Sequence, residues 1–166
     1  MKRTQAIELP EEEIAQQKEW MREFAALENR PHTYCVVTYG CQMNAHDSET
    51  LEGMLAQMGM TPAESREKAD FVIFNTCCVR DNAQRRALGN VVWLKELKKT
   101  HPELMVAVCG CMMQQPGMGE QILRQYPFVD LAFGTHNLYR FAQLMLKAVQ
   151  SRRRVVEVID DDEGSI

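Results

Sequence analysis

Long apolar runs are missing from this 166-residue chain. No stretch approaches the ~18 residues that a membrane-spanning helix requires. The opening residues, 1–10, hold no apolar core of the kind a secretion signal carries. A cytoplasmic protein with no membrane partner is therefore expected, in a compartment where thiols stay reduced. The six cysteines then point to metal binding, catalysis or packing before disulfides. Excess charge is missing too. A formal net charge of −4 offers no overall polycation for nucleic acid, although Arg80, Arg85, Arg86, Lys95, Lys98 and Lys99 could form a local basic face. No glycine-rich loop suited to phosphate is present, and no serine-centred elbow. The cysteine spacing is not that of a zinc ribbon or a ferredoxin.

What is present is ordinary in bulk, with 45% hydrophobic and 25% charged residues, enough for one domain with a real core. The informative stretch is Thr38-Tyr39-Gly40-Cys41-Gln42-Met43-Asn44-Ala45-His46-Asp47-Ser48-Glu49. It follows the apolar run 34–37 and precedes a helical pattern of Leu51, Met54, Leu55 and Met58. Cys41 is thus expected where a strand turns into a helix, with Asn44, Asp47 or Ser48 as candidate caps. A thiol at a helix start feels the positive end of the dipole, which favours thiolate. The layout recurs in Phe71-Val72-Ile73-Phe74-Asn75-Thr76-Cys77-Cys78 and in Leu104-Met105-Val106-Ala107-Val108-Cys109-Gly110-Cys111.

Strands alternating with helices predict an α/β fold, a doubly wound parallel sheet of four to five strands with flanking helices in flavodoxin-like order. Residues 60–63 would form an edge strand if they form one at all, because Pro62 lies among them. Gly59 is expected to stop the helix before it. Residues 128–134 read as the last strand, followed by a closing helix over 138–149. Residues 1–32 read as an N-terminal helical extension, with Ile14, Trp20, Met21, Phe24 and Ala25 as its apolar positions. Residues 33–149 form the core domain. Residues 150–166 mix charge blocks with a short apolar run and read as a linker.

Parallel strands share one carboxyl edge, so Cys41, Cys77 and Cys111 are predicted to converge there. The residues alone leave two readings open, a three-thiolate metal site or three small buried hydrophobes. Zinc held by four of the cysteines is a competing metal site. Cys35 and Cys109 read as core residues, and Cys78 as a spectator, since neighbours on a strand face opposite ways. The four histidines, His32, His46, His101 and His136, lie in unrelated contexts and give a Cys-His-Asp catalytic set little support. Asn75 and Thr76 are expected to hydrogen-bond the turn.

The segments Gly40-Cys41-Gln42-Met43-Asn44 with Asp47-Ser48-Glu49, Asn75-Thr76-Cys77 with Val79-Arg80, and Gly110-Cys111 resemble the N-terminal domain of the radical-SAM methylthiotransferases. Asp130 and Gly134 fit the same pattern. The likeness runs over residues 34–149 and is strongest to the MiaB branch, which methylthiolates C2 of N6-isopentenyladenosine at tRNA position 37. It implies a flavodoxin-like domain whose Cys41, Cys77 and Cys111 hold an auxiliary [4Fe-4S] cluster with one open iron that donates sulfur. The resemblance also implies partners: tRNA, a radical-SAM domain with a second [4Fe-4S] cluster and S-adenosylmethionine, and an RNA-binding TRAM domain. No Cys-x3-Cys-x2-Cys spacing occurs among these six cysteines. The chain is therefore expected to be the first domain of a longer enzyme, not catalytically competent alone. The alternatives are a zinc or iron–sulfur regulatory module and a flavodoxin-like nucleotide-binding module.

Overall fold

The computed structural model describes residues 11–39, 42–76, 93–110, 113, 117–134, 138, 140–151 and 153–157. In chain order these form α1 (Glu11–Ala25), β1 (Thr33–Tyr39), α2 (Gln42–Gln57), β2 (Thr61–Pro62), β3 (Phe71–Thr76) and a helical stretch at 93–100, α3. There follow β4 (Met105–Gly110), α4 (Met118–Gln125), β5 (Leu131–Phe133), α5 (Phe141–Ser151) and β6 (Val155–Glu157). All strands are parallel and pair in the order β2-β1-β3-β4-β5-β6. The first five reproduce the flavodoxin-like order, as expected.

β3 is the middle of the sheet, and all six of its residues are buried. Such a strand reads as a continuous apolar run because helices cover both faces. Alternation sends Phe71 and Ile73 into one layer with Leu51 and Leu55 of α2, Met58 just beyond it, and Phe141 and Met145 of α5. Val72 and Phe74 enter the other layer with Leu94 of α3 and Ile122 of α4. Phe71 and Phe133 both tilt against the Phe141 ring, with centroids 6.2 and 5.5 Å away. The N-terminal helix is present as expected and packs on α5. Met21 and Phe24 are its buried anchors, while Ile14 is exposed.

Two turns behave as their residues demand. Gly59 adopts φ +87 at the end of α2, where its N–H reaches Ala56 O and the Met60 N–H reaches Leu55 O, closing a Schellman cap. Thr61 and Pro62 make only a two-residue edge strand, the position that proline tolerates.

Three features differ from expectation. The sheet has six strands in place of four to five, because Val155–Glu157, inside the stretch read as a linker, pairs with β5. The Val155 N–H bonds Asp130 O at 2.9 Å, and Arg154 donates to Val129 O, Tyr126 O and Ile122 O, closing the end of α4. A three-residue strand after a basic block has too little pattern to announce itself. The helix α2 also begins at Gln42, several residues before the expected start near Ser48. Ser48 is thus not an N-cap but an interior helix residue, with a long-range partner described below.

The amino edge is pinned by the same device twice. Asp70, just before β3, accepts the N–H groups of His32 and Thr33 on its Oδ2 at 3.0 and 3.2 Å. Asp130, just before β5, accepts the Val106 N–H at 2.9 Å and Lys98 Nζ at 2.6 Å. Each carboxylate satisfies backbone donors at a neighbouring strand's start and so sets the register of the pair. Asp130→Ala leaves the Val106 N–H and Lys98 without this acceptor and should cost about 2 kcal/mol. Urea unfolding checks this, and a midpoint equal to wild type would remove Asp130 from the register device.

Candidate functional site at the carboxyl edge

Register carries over from the amino edge to the other end of the sheet. Tyr39 of β1 pairs with Thr76 of β3, and Thr76 pairs with Gly110 of β4. The three strands stop level. In the sequence, Cys41 follows Tyr39 by two residues, Cys77 follows Thr76 directly, and Cys111 follows Gly110 directly. Cys41, Cys77 and Cys111 themselves lie outside the described residues, as do Cys78, Arg80, Arg85, Arg86 and His136. Among the described residues, no group of three or more His, Cys, Asp or Glu side chains is placed to hold a metal.

A polar network, buried except at Thr38 on its β1 end, ties the three strand ends together. Asn75 and Thr76 are fully buried, and Ser48 is 6% exposed. Asn75 Nδ2 donates to Ser48 Oγ at 3.1 Å, and the Ser48 hydroxyl lies 2.6 Å from Thr38 Oγ1. Thr76 Oγ1 donates to Cys109 O at 3.3 Å. The bonds therefore run from β1 through α2 to β3, and from β3 to β4. Buried amide and hydroxyl groups cost free energy unless paired, so each of these contacts constrains where its elements end. Among the described residues, Asn75 bonds Ser48 on α2 and Thr76 bonds the Cys109 carbonyl on β4; the turn that they were expected to bond lies outside the described residues.

Gly110 makes the close approach possible. Its φ is +107, a region side chains rarely adopt, and a Cβ there would run into Thr76 O and lie 2.7 Å from Thr76 N and Asn75 Oδ1. Only glycine lets β4 finish against that amide. The sequence signal was there to be read, since polar Asn75-Thr76 closes an otherwise apolar strand. Ser48 gave none, because a serine inside a helix ordinarily faces water.

The remaining candidates are sorted by position. Cys35 lies half-buried inside β1, and Cys109 is buried at the end of β4, both as core residues. Burial pushes the Cys35 thiol up, with the nearby Arg66 charge opposing it. His32 and His101 stand at the amino edge, where His101 Nε2 is 3.8 Å from Asp70 Oδ1. His46 is exposed on α2. No catalytic Cys-His-Asp set is assembled among the described residues. Asp130, part of the family-like pattern, serves register at the opposite edge from the site.

Two outcomes follow from these positions. Gly110→Ala should destabilise the chain by about 3 kcal/mol or block folding, through combined backbone strain and overpacking, as read by urea unfolding. In peptide-resolved alkylation at neutral pH, Cys35 and Cys109 should react roughly tenfold or more slower than in the unfolded chain. Equal rates would show that they are not core thiols.

The architecture and this edge can be set beside known proteins. The model of uncharacterized protein family UPF0004 matches residues 33–134. A tRNA-2-methylthio-N(6)-dimethylallyladenosine synthase from Alkaliphilus oremlandii is 51% identical over 133 residues, covering 80% of this chain and 28% of that protein. The synthase of the same name from Clostridium tetani is 51% identical over 135 residues, covering 81% and 30%. That from Thermoanaerobacter sp. strain X514 is 46% identical over 162 residues, covering 96% and 34%. The chain thus spans about a third of the length of the curated relatives it matches. With its family model spanning the sheet from β1 to the end of β5, this chain belongs to protein family UPF0004.

Proposed function

We propose that this chain is the sulfur-donor domain of a tRNA methylthiotransferase and holds an auxiliary [4Fe-4S] cluster through Cys41, Cys77 and Cys111. The observation that carries the reading is the level ending of β1, β3 and β4 at one sheet edge, within two residues of each of those cysteines in sequence. Sites in doubly wound folds lie at that edge. The names of the relatives, each a tRNA-2-methylthio-N(6)-dimethylallyladenosine synthase, agree with it.

The donor chemistry fits the group. Thiolates are the usual protein ligands of iron–sulfur clusters, and three of them for four irons leave one iron without a protein ligand. That open position is what the bound cluster supplies to sulfur insertion at C2 of the isopentenylated adenosine. The chain's own residues do the rest. β1, β3 and β4 end level, Gly110 allows β4 to close against Thr76, and the apolar layers below exclude water. Cleavage of S-adenosylmethionine and most tRNA contacts are assigned to further domains of the same enzyme.

Anaerobic reconstitution with iron and sulfide tests the reading. The wild type should turn brown and retain about four irons per chain, the content of one cubane cluster. Cys41→Ala, Cys77→Ala and Cys111→Ala should each lose it, while Cys78→Ala keeps it. The chain alone should form no methylthio-adenosine. Zinc in place of iron, or equal loss with Cys78→Ala, contradicts the ligand set. A bound flavin would favour a nucleotide-binding module instead.

A further inference from the structure

The Ser48–Asn75 contact has features that plain packing does not require. It joins two buried polar side chains 27 residues apart, from the interior of a helix to the last turnward positions of the central strand. An apolar pair would fill that space without the need for matched partners. Asn75 also faces two ways. Its amide nitrogen reaches Ser48 on α2, and its Oδ1 lies where any side chain on Gly110 would have to stand. Through Ser48 the connection extends to Thr38 on β1. A single side chain therefore gauges the spacing between the ends of β1, β3 and β4, and it sits two residues before Cys77.

We infer that Asn75, acting with Ser48, is a positioning residue that sets the mutual spacing of the ends of β1, β3 and β4, which Cys41, Cys77 and Cys111 follow within two residues in sequence. This rests on the cluster-binding reading above. The amide fixes the distance from α2 and β1 on one side and from β4 on the other. The strand ends from which the proposed ligands continue are thus set before a cluster arrives. Outer hydrogen bonds of this kind orient metal ligands, and their loss typically lowers metal affinity by about 10- to 100-fold. The inference concerns retention and electronic uniformity of the cluster, not ligation itself.

The test compares Ser48→Ala, Asn75→Ala and the double variant with wild type and with Asp130→Ala, which loosens the opposite edge of the same sheet. Each chain is reconstituted anaerobically, and iron loss to a chelator is timed alongside the electron paramagnetic resonance spectrum of the reduced cluster. Both single variants should lose iron roughly tenfold or more faster than wild type and give a broadened, heterogeneous signal. The double variant should be no worse than the more affected single variant, because both changes break one linkage. Asp130→Ala should lose fold stability yet keep the wild-type loss rate and spectrum. Wild-type rates and spectra in Ser48→Ala and Asn75→Ala overturn the inference alone. So does equal acceleration in Asp130→Ala, which would mean that general loosening is enough. Should Asn75→Ala not fold, Ser48→Ala with its smaller change decides the question by the same readouts. Failure of the wild type to take up iron overturns the cluster reading and this inference with it.

Discussion

Everything at the site depends on the register of three parallel strands. β1, β3 and β4 pair one residue to one residue from Phe71 to Thr76, so a shift of a single position would carry one strand end past its neighbours. The register is set at both edges by different chemistry. At the amino edge Asp70 accepts the His32 and Thr33 N–H groups and so fixes β1 against β3, whereas Asp130 fixes β4 against β5, outside this trio. At the carboxyl edge neutral groups do the work: the Thr38, Ser48 and Thr76 hydroxyls and the Asn75 amide.

That division makes physical sense for a site meant to carry thiolates. Carboxylates buried beside thiolates would repel them and disfavour metal-ready ionisation. Amides and hydroxyls satisfy one another and the Cys109 carbonyl and bring no negative charge. Among the described residues, the acidic register devices stand at the edge where His32 and His101 lie, and there Lys98 balances Asp130. The two edges of one sheet thus use different chemistry, carboxylates at one and neutral groups at the other.

Much of this was legible in the amino-acid sequence, for reasons that can be named. β3 and β4 are apolar on both faces, so they appear as unbroken runs, and Gly59 stands where a helix must stop. The level placement of Tyr39, Thr76 and Gly110 follows from parallel pairing once the strands are known. What was hidden is non-local or short. β6 has three residues, and its partner Asp130 is 25 positions away, so no local pattern marks it. Arg154 looks like one more charge in a basic block until its guanidinium is seen on three carbonyls of the segment 122–129. Ser48 reads as a helix cap because short hydroxyls usually are caps, whereas its partner comes from another strand. The proposed ligand cysteines were named from strand-end position and resemblance, while the hydroxyls and amide at the same strand ends emerged only from the fold.

The central claim is that these three strand ends deliver Cys41, Cys77 and Cys111 to a single cluster. The most direct measurement is an anaerobic crystal structure of the reconstituted chain, with iron located by its anomalous scattering. One iron–sulfur site is expected beyond the ends of β1, β3 and β4, bonded to the Sγ atoms of those three cysteines and to no fourth. Iron ligated by Cys78, iron elsewhere on the chain, or the three thiols pointing to separate surroundings would contradict it.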